Sequence, residues 1–107
     1  MIYNDQGRLD EAIKEYQTAL AINPKDANVH MNLGMVYQRK HLLDDAAKEF
    51  QAALLLNPYD ASAHNNLGAV FGLQGHLNEA VREFKAALEI DPDYVKAKNN
   101  LRKIHNQ

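Results

Sequence analysis

The amino-acid sequence predicts an all-α fold, a solenoid in which antiparallel helix pairs stack on one another. Its three prolines, Pro24, Pro58 and Pro92, follow one another at intervals of 34 residues. In that frame, residues 27–60 and 61–94 agree at 14 of 34 positions, so the two segments are copies of one unit. Apolar residues in each unit recur at the i, i+3, i+4, i+7 spacing of one helical face. A repeat of this length is typical of helical units that bury a continuous core by stacking.

The repeat divides the single domain of residues 1–107 into four parts. Residues 1–26 correspond to a partial first unit, residues 27–60 and 61–94 are complete units, and residues 95–107 match the opening helix of another unit. We expect this last segment to be a polar capping helix, because a terminal repeat needs a soluble outer face. The missing front of the first unit leaves open whether the chain is a fragment of a longer protein.

Each complete unit predicts two helices, each with its own apolar stripe. The stripe of the first helix contains His30, Leu33, Gly34 and Tyr37 in one unit and His64, Leu67, Gly68 and Phe71 in the next. The stripe of the second helix contains Ala46, Phe50, Ala53 and Leu54, and then Ala80, Phe84, Ala87 and Leu88. Glycine in a helix interior is less favourable than alanine by about 1 kcal/mol, so we expect Gly34 and Gly68 to permit a close approach of the paired helices.

Cap and turn residues mark the predicted helix ends. Short polar side chains favour the N-cap position. We expect Asp26 and Asp60 to cap the first helices of the units, and Asp10, Asp44 and Asn78 to cap the second helices. The turns within the pairs contain Gly7 and Gly75. His41 stands at the equivalent position of the middle unit, where we expect a positive φ.

The repeated positions resemble those of the tetratricopeptide repeat, a motif with the same period. Its marker residues are matched by Leu33-Gly34, Tyr37, Ala46, Phe50, Ala53 and Pro58, and again by Leu67-Gly68, Phe71, Ala80, Phe84, Ala87 and Pro92. The resemblance covers essentially the whole chain and implies a right-handed α-solenoid that serves as a non-catalytic scaffold for other proteins. The chain departs from the family at Lys98 and Arg102, which occupy core positions and support the capping role of the last helix.

Composition and motifs argue against an enzyme or a cofactor-binding protein. The chain has no cysteine, which excludes disulfides, thiol nucleophiles and cysteine-based zinc sites. It has no glycine-rich phosphate loop, no G-x-S-x-G motif and no histidine–carboxylate pair at a motif spacing. His30 and His64 are one repeat apart on different helices, so we interpret them as half-buried packing residues rather than metal ligands. We therefore expect no catalysis, no metal and no cofactor.

The candidate binding residues form an asparagine ladder, Asn32, Asn66 and Asn100, at the repeat spacing. These residues point away from the Leu-Gly face, which places them on the inner, concave wall of a stack. Asparagine is a mediocre helix former, and its amide both donates and accepts hydrogen bonds, so the ladder favours contact with the backbone of an extended peptide. It is similar to the asparagine ladder in the repeat superhelix of O-GlcNAc transferase. Copying of a tolerated surface residue by duplication is the alternative.

Further residues of the predicted wall lie beside the ladder on the same helices. They are Asn28, Met31, Met35, Gln38 and Arg39, then Ser62, Asn65, Ala69, Gly72 and Leu73, and then Lys96, Asn99 and Lys103. The two methionines are adaptable contacts, and the small Ala69 and Gly72 leave room for a ligand side chain. The basic edge of Lys96, Lys98, Arg102 and Lys103 favours acidic residues at one end of a peptide.

Some members of the family that the chain resembles clamp the acidic C-terminal tails of heat-shock chaperones with five residues: Lys and Asn, then Asn, then Lys and Arg. Asn66 and Lys96 match two of these positions. Met31, Met35 and Asn100 stand where Lys, Asn and Arg would be required. We therefore reject a chaperone-tail clamp for this sequence.

The partner predicted from these residues is an extended segment of another protein, bound in the concave groove. The alternative is a structural segment of a longer array, which stacks or forms homo-oligomers through its incomplete N-terminal or C-terminal end. A net charge of −2 and a strict 34-residue period disfavour nucleic acid. No apolar run suffices for a membrane span, and the first residues do not form a signal peptide. With the absence of cysteine, these features favour the cytoplasm without identifying the compartment.

Overall fold

The structure, a computed structural model, describes residues 5–106, and describes side chains from residue 7 onward. The described chain is entirely helical apart from its turns, as the repeat predicts. Its helices are α1 (Asp5–Ile22), α2 (Ala27–Arg39), α3 (Leu43–Leu56), α4 (Ala61–Leu73), α5 (Leu77–Ile90) and α6 (Val95–His105). None of them is long and apolar enough to cross a membrane.

The helices form two layers. We call α2, α4 and α6 the A helices, since they open the repeat units, and α1, α3 and α5 the B helices. The backbones of α2 and α4, and of α4 and α6, are in contact, whereas no such contact joins the B helices to one another in the described part of the chain. The A helices are therefore closer together, which makes their side of the solenoid the inner surface and the side of the B helices the outer surface.

The two helices of each unit approach closely at a glycine. A Cβ atom placed on Gly34 would lie 2.7 Å from Cε1 of Phe50, and a Cβ on Gly68 would lie equally close to Phe84. Both rings are buried, together with the alanines of the same B-helix stripes. The close approach predicted for the Leu-Gly pairs is therefore confirmed, because any side chain at these glycines would occupy the space of the phenylalanine.

The predicted N-caps of α2 and α4 are confirmed. Oδ1 of Asp26 accepts hydrogen bonds from the backbone N–H groups of Asn28 and Val29 at 3.1 and 3.3 Å. Asp60 does the same for Ser62 and Ala63 at 3.0 and 3.2 Å. These carboxylates satisfy backbone donors that have no partner within the helix.

The turns inside the pairs have a defined geometry. The N–H of Leu42 bonds to the carbonyl of Tyr37 and that of His41 to Gln38, and the turn after α4 repeats this pattern. This is the Schellman arrangement, which places one residue in the left-handed region. That residue is His41 (φ 61°) in the middle unit and Gly75 (φ 85°) in the next, as predicted.

The prediction that Asp10, Asp44 and Asn78 are N-caps is wrong. The N-cap residues of α3 and α5 are Leu42 and His76, which make no side-chain cap hydrogen bond. The Schellman turn ends at these residues, so the next helix begins two residues earlier than the polar side chains suggest.

The two aspartates instead link successive units. Nε2 of Gln74 donates a hydrogen bond of 2.6 Å to Oδ1 of Asp44. Lys40, at the position equivalent to Gln74, forms an ion pair with Asp10. In both cases the C-cap residue of an A helix reaches the first part of the preceding B helix.

The prediction that Gly7 lies in a turn is also wrong. Helix α1 runs without interruption from Asp5, so Gly7 lies inside it, and so does Asp10. Tyr3, which stands one repeat before Tyr37 in the sequence, lies outside the described residues.

Candidate peptide-binding surface

The inner surface contains a cleft between α2 and α4. It has a volume of about 410 Å³ and is lined by Met35, Gln38, Arg39, His41, Asn66 and Leu73. Met35 and Leu73 are large apolar residues, yet 45% and 56% of their surfaces are exposed. The cleft therefore offers apolar walls beside the amide of Asn66.

A second cleft of about 270 Å³ follows between α4 and α6. Its lining includes Ala69, Gly72, Leu73, Asn100 and Lys103. A Cβ atom at Gly72 would meet nothing within 4 Å. Helix packing therefore does not require glycine at this position, in agreement with the space for a ligand side chain predicted from the sequence. Leu73 lines both clefts, so they are neighbours, and the second one also reaches Leu77 and Phe84 of α5.

The ladder residues occupy successive places on this surface. Asn32 is exposed, whereas Asn66 and Asn100 are half-buried and line the first and second cleft. Nδ2 of Asn100 donates a hydrogen bond of 3.0 Å to Oδ1 of Asn65. The amide of Asn100 retains a second N–H and its oxygen, so this bond does not exhaust its capacity for a ligand.

The other predicted wall residues divide into buried and accessible groups. Met31 and Asn65, which are equivalent in the repeat, are buried, and Met31 belongs to the hydrophobic core. The repeat position that Met31 and Asn65 share therefore faces the neighbouring A helix rather than the cleft. Ser62 is half-buried and its hydroxyl donates to Asp60. The exposed residues are Asn28, Arg39, Lys96, Asn99 and Lys103, and Gln38 and Ala69 are half-buried.

Comparison with family models agrees with the geometry of the helix pairs. A model described as "Tetratricopeptide repeat" matches residues 25–93, and a second, described as "TPR repeat", matches residues 2–40. The chain belongs to the tetratricopeptide repeat family. The family predicted from the Leu-Gly, alanine and proline positions is thereby confirmed, as is the all-α solenoid of helix pairs.

Solved tetratricopeptide repeat domains superpose on nearly the whole chain. The first such domain of Spaghetti (RPAP3), bound to the HSP90 peptide SRMEEVD, is 30% identical, with a TM-score of 0.90 over 97% of this chain and 82% of that one. The second domain of human RPAP3, in complex with the HSP70 peptide SGPTIEEVD, is 27% identical, with a TM-score of 0.89 over 96% and 86% of the two chains.

A further solved structure, MamA, shares the fold at 22% identity. Its TM-score is 0.89, and the match covers 95% of this chain but 60% of MamA. No curated protein matches the chain significantly in sequence.

The charges of this tetratricopeptide repeat domain are divided between its two surfaces. The A helices contain five Lys and Arg residues and no Asp or Glu. All 14 Asp and Glu residues lie on the B helices and the connecting turns, together with the other seven basic residues. The layer of A helices is therefore positive, mainly at α6, which contains four of its five basic residues, and the rest of the chain is negative, although the net charge is only −2.

His30 of α2 and His64 of α4 each join their helix to the B helix of the same unit and to the preceding turn. Nδ1 of His30 lies 2.7 Å from Oε1 of Glu49, and Nε2 lies 2.8 Å from the carbonyl oxygen of Pro24. His64 makes equivalent contacts with Glu83 and with the carbonyl of Pro58. Burial alone lowers the pKa of His30, but the hydrogen bonds to Glu49 and Pro24 and the charges of Glu49 and Asp26 outweigh it, so the pKa is raised above 6.5.

These contacts give the two histidines a structural role. Both nitrogens of each ring have protein partners, in agreement with the packing role predicted from the sequence. Sequence motifs did not reveal the carboxylate partners, which are 19 residues away on another helix. The sequence feature that could have indicated these pairs is that a histidine and a glutamate recur together at the repeat spacing. No cluster of three or more His, Asp or Glu side chains suited to a metal is present in the described part of the chain.

Proposed function

We propose that this domain is a non-catalytic protein-interaction scaffold that binds an extended peptide segment of another protein along its inner surface. The observation that carries the proposal is the pair of neighbouring clefts, in which Asn66 and Asn100 stand beside the exposed apolar side chains of Met35 and Leu73. Amides that donate and accept suit a peptide backbone, and apolar pockets suit its side chains.

Related domains support this function. Two of the solved tetratricopeptide repeat domains that match the chain carry bound peptides. The positive layer of A helices in the present domain favours acidic residues in its ligand, mainly near Lys96 and Lys103 at the end formed by α6. Three of the five clamp positions differ, so we do not extend the proposal to chaperone tails.

The test is selection of binding peptides from a random display library, followed by measurement of their affinity for variants. Replacing Asn66 and Asn100 by Ala should weaken binding about tenfold, because backbone hydrogen bonds of the ligand are lost. The same change at Asn78, which is exposed on α5, is the control. Equal affinities of all three proteins would leave duplication as the explanation of the ladder.

A second candidate function is self-assembly through the face of α1 that contains Ala12, Tyr16 and Ala19. Ala12, Tyr16 and Ala19 are equivalent to Ala46, Phe50 and Ala53. The residues on α3 are buried, whereas those on α1 are partly exposed. An apolar face of this kind favours association with another helix. Sedimentation should then show a dimer that Tyr16→Glu dissociates and Asn66→Ala does not, and a monomer at high concentration would exclude this function.

A further inference from the structure

The outer surface has a groove of its own between α3 and α5. Because the B helices do not touch, the gap between them reaches down to α4, where Leu67 and Phe71 form its floor. Leu54 and Leu55 of α3 form one wall, and the volume is about 520 Å³. The groove shares no lining residue with the inner clefts.

Comparison of the repeat units shows that Leu55 is not required by the fold. Its side chain is 86% exposed, although it is large and apolar. The equivalent residues of the neighbouring units are Ala21 in α1 and Glu89 in α5, and α4 and α5 form the same helix pair as α2 and α3. Folding thus accepts a small or a charged residue at this position. An exposed leucine beside an apolar groove indicates a surface that is covered by a partner.

At the corresponding place one repeat earlier, a hydrogen bond joins α1 to α2. Nε2 of Gln17 donates to the hydroxyl oxygen of Tyr37 at 3.3 Å. In the groove between α3 and α5, the equivalent residues are Gln51 and Phe71, and phenylalanine has no hydroxyl group to receive this bond. The groove between α3 and α5 therefore presents the apolar ring of Phe71 at the position where Tyr37 accepts a hydrogen bond.

The charge around the groove selects the class of partner. Glu79, Glu83 and Arg82 of α5 and His64 of α4 line it, and Glu83 contacts His64. The two helices that form its walls, α3 and α5, contain six Asp and Glu residues and three Lys and Arg residues. A partner with lysine or arginine beside its apolar residues is complementary to such a surface.

The walls of the groove are helices, whose backbone groups are paired within each helix. They offer no strand edge, and the lining contains one amide side chain, Gln51, where the inner clefts present Gln38, Asn66 and Asn100. A ligand that supplies its own backbone hydrogen bonds therefore fits this groove best. We propose that the groove between α3 and α5 binds a basic amphipathic helix of another protein, with its apolar face against Leu55 and Phe71.

The proposal can be tested with a synthetic peptide of about 18 residues, or five helical turns, that has leucine at helical spacing and lysine elsewhere. The peptide should shift the NMR signals of residues in α3 and α5 around Leu55. Leu55→Glu should weaken binding about tenfold or more, because a carboxylate replaces an apolar contact. Ile22→Glu is the matched control, since Ile22 is 82% exposed at the end of α1 and undergoes the same change of charge. It should alter affinity by about twofold at most.

Phe71→Tyr supplies a second test, since the hydroxyl group can accept the bond from Gln51 that Tyr37 accepts from Gln17. We expect this variant to bind the peptide more weakly while remaining folded. Asn66→Ala should leave the affinity unchanged, which separates this site from the inner clefts. Equal losses for Leu55→Glu and Ile22→Glu would overturn the proposal. Equally tight binding of a leucine–glutamate peptide, or a Leu55-dependent dimer of the chain alone, would overturn it too.

Discussion

The imidazole of His30 lies 2.7 Å from the carboxylate of Glu49, and the same contact recurs one repeat later between His64 and Glu83. The other nitrogen of His30 faces the carbonyl oxygen of Pro24, at the end of the preceding unit. A carbonyl and an ionised carboxylate accept but do not donate hydrogen bonds. Both contacts are therefore complete only when His30 is protonated, which makes the junction between units sensitive to pH.

The first prediction concerns this dependence. Because the pKa of His30 is raised in the folded protein, folding favours protonation. The stabilisation is complete at pH values below the unfolded-state pKa of about 6.5 and is lost as the pH rises through the folded-state pKa. Urea denaturation measured between about pH 5.5 and 8.5 should show a free energy of unfolding that decreases as the pH rises above about 6.5.

Glu49→Gln should reduce the slope of that decrease, because the carboxylate that favours the imidazolium is removed. Glu15→Gln is the matched control. Glu15 is the equivalent residue of α1 and is exposed. A slope that both variants change equally would contradict the assignment to His30.

A second prediction compares two glycines in A helices. Gly34→Ala should lower the free energy of unfolding by about 1–3 kcal/mol, because the new Cβ would overlap the buried ring of Phe50. Gly72→Ala should raise it by up to about 1 kcal/mol, since the position is open and alanine is the better helix former. Thermal or urea denaturation measures both. Stabilisation by Gly34→Ala would show that Phe50 can move.

A third prediction separates true caps from polar residues near helix ends. Asp60→Ala should lower the free energy of unfolding by about 1 kcal/mol, since two backbone N–H groups of α4 lose their acceptor. Asn78→Ala should change it by no more than about 0.5 kcal/mol, because the N-cap of α5 is His76. A larger effect at Asn78 would favour the cap predicted from the sequence.

A fourth prediction concerns the two equivalent turns. His41→Gly should raise the free energy of unfolding by about 0.5–1 kcal/mol, because relief of strain at positive φ exceeds the entropy that glycine adds to the unfolded chain. Gly75→Ala, the reverse experiment, should lower it by about 1 kcal/mol. If both variants shift stability in the same direction, the two turns differ.

The fold was predictable because each unit must bury the same stripe in the same way. Leu33, Gly34 and Phe50 repeat as Leu67, Gly68 and Phe84, so the period and the helical spacing together define the helix pair. Helix starts were less predictable. Asp44 has the chemistry of an N-cap, but the backbone hydrogen bonds of the Schellman turn determine where α3 begins. The backbone positions in this turn, and not the type of side chain, decide whether an aspartate caps its own helix or, like Asp44, bonds to the next unit.

The candidate site was predictable in outline for the same reason, since the repeat places Asn66 and Asn100 on one surface. Helical spacing alone did not distinguish residues that face the cleft from residues that face the next A helix. Met31 and Asn65 are buried because a neighbouring A helix covers them. The outer groove was not predicted, because it depends on the separation of α3 and α5 rather than on any motif.

The division of charge between the two helix layers has a consequence for association in salt. Two layers of helices, each about 10 Å across, separate the positive and negative surfaces by about 20 Å. The Debye length is about 8 Å at physiological ionic strength and about 30 Å at 0.01 M. A partner near one surface in physiological salt therefore experiences only the charge of that surface. In dilute salt the opposite charge of the far layer also reaches the partner, but the attraction of the near layer is itself less screened, so association with either layer should weaken as salt is added.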